Sequence, residues 1–217
     1  MLQIQRWIKE PFPALSHMVG ALLSVVALAV LLNRTHGEAR FIIGFGIYGL
    51  SLVTLYSASA LTHAVRGSPR LCARLDQFDY AAIFLLIAGT YTPLCLVTLR
   101  GPYGSAILTA EWTMAGLGIL GAFIGKGGSD WRRVGIYVTM GWLGLFAARP
   151  LIHALPPAGW AWLLAGGLFY SLGAVVFALD RPHLCPGVFH AHDLWHLMVL
   201  AGSACHFILI LRFVAPL

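Results

Sequence analysis

Charge is what this chain has least of. Of 217 residues only 10% are Asp, Glu, Lys or Arg, and only eight are acidic. A water-soluble domain carries roughly 25% charged residues because its surface must be hydrated, so an ordinary soluble domain is excluded. Cysteine is sparse as well. Cys72, Cys95, Cys185 and Cys205 form no CxxC pair and stand in no short secreted scaffold, so neither a disulfide framework nor a thiolate metal site is expected. Period-two alternation of apolar and polar residues is missing, which argues against a membrane β-barrel. No soluble strand-to-helix turn presents the glycines to a phosphate.

Hydrophobicity takes the place of charge: 59% of residues are apolar and the mean hydropathy is +0.81. A helix needs about 20 apolar residues to cross a bilayer core. Seven segments approach that length: Leu15 to Leu32, Phe41 to His63, Phe78 to Leu99, Gly104 to Ile124, Val134 to Ala148, Pro157 to Leu179 and Phe189 to Leu211. The fifth is the shortest, cut by Arg149 and Pro150, with Ile152 to Leu155 able to extend it at the interface. The first follows Arg6 and Lys9, yet its 18-residue run is long for a signal peptide and no small-x-small cleavage site follows it, so it reads as an anchor. The expected fold is an all-α membrane protein, a seven-transmembrane-helix bundle forming a single domain over residues 1–217.

Nine Lys and Arg fall in the N-terminus and the second, fourth and sixth loops, against five in the first, third and fifth loops and the C-terminus. That bias predicts a cytoplasmic N-terminus and an outside C-terminus. The sequence pI of about 9.5 then reflects contact with membrane lipids of anionic headgroup, and nucleic acid is not needed as a partner.

With this topology His17, His63, Asp79, His192 and His196 reach the cytoplasmic side from four different segments. In "HAHDLWHLMVLAGSACHFILIL" the pair His192 and His196 is spaced i, i+4, about 40° around a helix and about 6 Å along it, so both imidazoles can chelate one ion. Ser59 and His63 share that spacing in "LYSASALTHAV", and Asp79 is placed at the mouth of the third helix. Three neutral imidazoles with a fourth position left open are the ligand set of a catalytic Zn²⁺, and a nearby carboxylate would orient its water and accept a proton. Taken singly, each has an ordinary alternative: an interfacial histidine, or a carboxylate favoured at a helix N-terminus. Their convergence points to function, because ionisable groups in a membrane are costly.

The other polar residues are given lesser parts. Glu111 lacks an obvious partner and is assigned to packing or interface exposure. His206 lies about 15 Å along the last helix from His196, too far to share its metal. His190 belongs to the loop edge, Asp193 is expected to cap the last helix or face the headgroups, and His36, His153 and His183 are placed in loops. Recurrent glycines, as in "GLGILGAFIG" and "AGGLFYSLG", suit close helix packing in lipid. Pro93 is expected to kink the third helix.

The stretches "EPFPALSHMVG", "YSASALTHA", "DYAAIFLLIAGTYTP", "GGLFYSLGAVVF" and "HDLWHLMVLAGSACHF" resemble the hemolysin III proteins of bacteria, which belong with the adiponectin and progestin receptors. The likeness runs along essentially the whole chain in the order SxxxH, Asp, HxxxH. It implies zinc ligands at His63, His192 and His196, with Asp79 holding the metal-bound water, Ser59 close to it, and the metal toward the cytoplasmic leaflet of a bacterial plasma membrane. Position 13, where bacterial members usually carry Asn, is Pro, so His17 is expected to stand behind the ligands or to serve packing alone, and not to bind the metal. The wider superfamily includes alkaline ceramidases. That kinship implies a zinc-dependent hydrolase of a lipid amide, with a lipid amide or fatty acid as ligand; the alternative is a receptor or regulator of membrane lipid state with a structural zinc.

Overall fold

A computed structural model describes residues 7–124, 130–182, 184–185 and 188–217. Arg6, Lys126 and His183, used above in the charge count and the loop assignments, lie outside the described residues. Among the described residues eight α-helices follow in order: α1 Pro11–Leu32, α2 Ala39–Ala64, α3 Pro69–Pro93, α4 Pro102–Ile124, α5 Asp130–Gly141, α6 Ala148–Ala154, α7 Pro157–Leu179 and α8 Ala191–Leu209. No strand occurs among the described residues. A π-helical turn prolongs α3 through Thr98, another prolongs α8 through Val214, and a 3-10 turn, Leu143–Ala147, joins α5 to α6. Counted as membrane spans these make seven, each long and apolar enough to cross a bilayer, so this is a multi-pass membrane protein.

The helices begin where local chemistry starts them. Pro69 occupies the first turn of α3 and the Ser68 hydroxyl accepts from Leu71 N–H at 3.3 Å, as a helix N-cap does. This corrects the sequence reading of Asp79, which sits ten residues inside α3 and not at its mouth. The first turns of α3, "PRLCARLDQ", carry Arg70, Arg74 and Asp76 and precede the apolar run read from the sequence. At α8 the forecast for Asp193 holds: its carboxylate accepts from His190 N–H at 2.8 Å, closing a capping box.

Packing follows the chain. α1 lies along α2, α2 along α3, α7 along α8, and α8 closes back on α1, while α5 bridges α3 and α7 and α4 packs outside on α3. Outward faces carry leucine and valine, with Leu22 66% and Leu23 62% exposed, as lipid contact requires. Glycine sets the closest approach. A Cβ at Gly49 would meet Leu28 Cα at 3.1 Å, so only hydrogen there lets α1 and α2 come together. Large side chains fill the interior: Phe41, Phe45, Tyr48 and Tyr56 are buried on α2.

The fifth span breaks between Gly141 and Ala148, and Tyr91 repairs the break. Its hydroxyl donates to Gly141 C=O at 2.7 Å and accepts from Gly144 N–H at 2.8 Å, supplying backbone partners that lipid cannot. His153, assigned to a loop, stands in the last turn of α6. The span reaches Ala154, beyond the shorter segment read first. Glu111 is fully buried inside the protein, which rules out interface exposure, and neither carboxylate oxygen has a hydrogen-bond partner. Pro93 ends the α-helical part of α3 and the π turn begins at Leu94, where Leu99 N–H reaches back to Leu94 C=O at 2.8 Å.

Candidate functional site

Antiparallel passage of neighbouring helices brings the end of α2 and the start of α8 to the same end of the bundle. There the His63 and His196 ring centroids stand 4.6 Å apart, His63 and His192 5.0 Å, and His192 and His196 4.7 Å. One nitrogen from each of the three rings lies within 4.8 Å of the others. His192 Nε2 and His196 Nε2 are 3.3 Å apart, as their i, i+4 spacing requires.

The opposite ring nitrogens are already engaged. His63 Nδ1 is 2.5 Å from Glu10 Oε2, and the same carboxylate oxygen lies 4.0 Å from His192 Nδ1. Glu10 is aimed by its own backbone: Lys9 N–H and Glu10 N–H donate to Ala64 C=O and His63 C=O at 3.2 and 2.8 Å. Those carbonyls lack partners within α2 because the helix ends there. The hydrogen bond to His63 holds the Glu10 carboxyl below the usual glutamate range, outweighing the opposite effect of partial burial. Behind His196, the His17 ring offers a nitrogen 3.0 Å from His196 Nδ1, and His17 Nε2 lies 3.3 Å from the His196 carbonyl.

This donor set fits a divalent ion that takes nitrogen. Zn–N bonds of about 2.0–2.1 Å in a tetrahedral site separate ligand nitrogens by about 3.3 Å, and the His192–His196 spacing meets that value without movement. A carboxylate on the far nitrogen of a ligating histidine is the usual device for fixing its tautomer and orientation, and Glu10 supplies one for His63. The buried cluster could therefore hold a metal ion.

Asp79 and Ser59 stand beside it. The Ser59 hydroxyl faces the Asp79 carboxylate, and Thr62 Oγ1 donates to Leu75 C=O at 3.0 Å, fixing α2 against α3 at this level. A single cavity of about 320 Å³ is lined by His63, Asp79, Ser59 and His192 at one end and by Leu86, Leu94 and Leu163 farther along. Such a shape suits an elongated apolar molecule with a polar head.

The five residues singled out from the sequence thus come together at one end of one cavity, while His206, which lines that cavity far along α8, does not join the cluster. Glu10 was missed. The scan for positive charge passed over it, although it is one of only eight acidic residues and precedes the first span on the side where the histidines gather. Also unforeseen is a hydroxyl cluster in the wall: Tyr56 donates to Ser203 Oγ at 2.6 Å, and Tyr170 shares the same oxygen at 2.8 Å.

The chain is similar to known proteins along most of its length. The chain is 38% identical over 219 aligned residues to Hemolysin-3 of Bacillus cereus, covering all of this chain and 97% of that protein. It is 36% identical to the Hemolysin-3 homolog of Bacillus subtilis (strain 168), covering 91% of each. A more distant likeness, 27% identity over 85% of this chain and 76% of the other, links it to the human monocyte to macrophage differentiation factor. A profile of proteins described as haemolysin-III related matches residues 5–207, and the chain belongs to that family.

Proposed function

We propose that His63, His192 and His196 bind Zn²⁺ and that the protein is a zinc-dependent hydrolase acting on a lipid amide held in the cavity. The observation carrying this reading is the cluster's position: three imidazoles at the polar end of a largely apolar cavity that Asp79 and Ser59 also line. Bound there, Zn²⁺ supplies a Lewis acid for a carbonyl and lowers the pKa of water toward neutrality. The chain's own groups do the rest. Glu10 and His17 hold the rings of His63 and His196 in register, Asp79 takes a proton from the attacking water and passes it toward the leaving amine, and Ser59 orients Asp79. Leu86, Leu94 and Leu163 receive the acyl chain and exclude bulk water. The excess of Lys and Arg in the even-numbered loops supports a metal site toward the cytoplasmic leaflet.

A second reading is supported by the helices that the cluster joins. His63, His192 and His196 link α2 to α8 with α1 packed behind, so zinc would also serve as a staple in a regulator of membrane lipid state without turnover. The experiment separating the two uses purified, zinc-replete protein and a ceramide-like amide, measuring free fatty acid released. Hydrolysis by the parent protein, abolished in Asp79→Ala with zinc content unchanged, is the expected result. Zinc bound at full occupancy with no cleavage above a His63→Ala control would transfer the site to the regulator.

A further inference from the structure

A metal site buried inside a protein needs a path by which the ion arrives, and exposure around the three histidines is uneven. The side chain of His192 is 37% exposed and that of Glu10 39%, against 8% for His63, while His196 and His17 are each 2% exposed. His192 stands in the first turn of α8 and Glu10 directly before α1. Elsewhere the cluster is backed by rings. His17 lies behind His196 with centroids 4.2 Å apart, Tyr56 lies behind His17 at 4.9 Å, and Phe177 stands 6.0 Å from His192. The long cavity also reaches the cluster, but its walls are mostly apolar, and a hydrated cation is costly to place there.

Glu10 is held at the exposed side by the backbone around it. Arg66 donates to Ile8 C=O at 3.3 Å, Lys9 N–H and Glu10 N–H donate to the carbonyls that end α2, and Phe12 meets Phe189 edge-on at 5.0 Å. So placed, Glu10 Oε2 is 4.0 Å from His192 Nδ1. Two bonds from Zn²⁺ of about 2.0–2.1 Å each span about 4.1 Å when nearly in line, so an ion fits between these atoms as they stand, with water completing its shell. The other nitrogen of the same ring, His192 Nε2, is 3.3 Å from His196 Nε2. His192 thus presents one nitrogen to Glu10 and the other to the buried cluster. The second carboxylate oxygen, Glu10 Oε1, is 3.8 Å from Lys9 Nζ, a cation that opposes the approach of another.

We infer that Glu10 and His192 Nδ1 form an entry site for the metal, where a divalent cation arriving from water is first held before it passes to the three histidines. The inference rests on the proposal that those histidines bind zinc, and adds the route by which it comes. The entry role is separate from the part Glu10 plays beside His63. A partner on the far nitrogen of a ligand slows the release of a bound ion, whereas a negative charge at the entrance speeds arrival, an effect that salt weakens.

The test is the rate at which EDTA-stripped, full-length protein in detergent takes up zinc, read in stopped flow by a fluorescent indicator of free zinc, with release followed separately by a chelator chase. Glu10→Gln should load about tenfold more slowly than the parent. Raising the ionic strength from about 0.01 to about 0.15 M shortens the Debye length from about 30 to about 8 Å; it should slow loading of the parent and not of Glu10→Gln. Glu10→Asp keeps the charge while drawing it back from His63, and should load at close to the parent rate yet release faster. Lys9→Gln, which leaves the backbone contacts in place, should load about twofold faster. Loading of Glu10→Gln at the parent rate, with only release accelerated, overturns the entry site and leaves Glu10 as the partner of His63. Slower loading in Asp76→Asn but not in Glu10→Gln also overturns it, in favour of arrival through the cavity that Asp76 lines. Failure of the parent protein to take up zinc at all overturns the zinc proposal itself, and the entry site with it.

Discussion

At the scale of single residues, Glu10 is the group whose removal is most informative. Its carboxylate accepts from His63 Nδ1 at 2.5 Å, which pins the proton there and leaves Nε2 free for a metal. Glu10→Gln keeps the size and loses the charge. Second partners of this kind are typically worth about 10–100-fold in metal affinity, so zinc titration against a competing chelator should show a fall in that range, with the helix content by circular dichroism unchanged. An unaltered zinc affinity would mean that Glu10 serves only to anchor the N-terminal segment. The ligand candidates themselves were legible beforehand, because i, i+4 spacing on a helix fixes relative direction without any tertiary knowledge. Glu10 was not, since it touches His63 across 53 residues of chain through a backbone path along the end of α2 that no periodicity encodes.

Among the elements, the broken fifth span depends on a side chain from another helix. Tyr91 of α3 serves both Gly141 C=O and Gly144 N–H, so Tyr91→Phe leaves two backbone groups without their partner inside a membrane. Each such loss costs about 1–3 kcal/mol. Thermal unfolding in detergent should move down accordingly, and limited proteolysis should find new cleavage between α5 and α6; an unshifted transition would mean that other groups repair the break. Seven spans were readable in the sequence because apolar length alone defines them. Their ends were less so. α3 starts nine residues before its apolar run because Ser68 and Pro69 start it, and a hydrophobicity scan gives no weight to a cap. Burial was illegible too: Glu111 sits on α4, few of whose residues are buried, yet is fully enclosed, since the packing of α4 on α3 is a tertiary fact.

For the molecule as a whole, the histidine cluster lies where helices distant in sequence must stay together. His63 belongs to α2 and His192 and His196 to α8, with His17 bringing α1 against them. An ion bound by the folded chain and not by the unfolded one stabilises the fold by an amount set by its concentration over Kd, about 4 kcal/mol at a thousandfold excess. For a chain of this length that corresponds to a rise of about 8–16 °C in unfolding temperature. Treating the purified protein with EDTA should lower the transition by that order, and adding zinc back should restore it. His63→Ala, lacking one of three nitrogens, should melt near the EDTA-treated value and respond little to either addition. The comparison also tests which ions the site accepts, because imidazole donors take several divalent metals and magnesium, which prefers oxygen, should restore nothing. A transition indifferent to EDTA in metal-loaded protein would show that the three rings are held by Glu10, His17 and helix packing alone, and that no ion links α2 to α8.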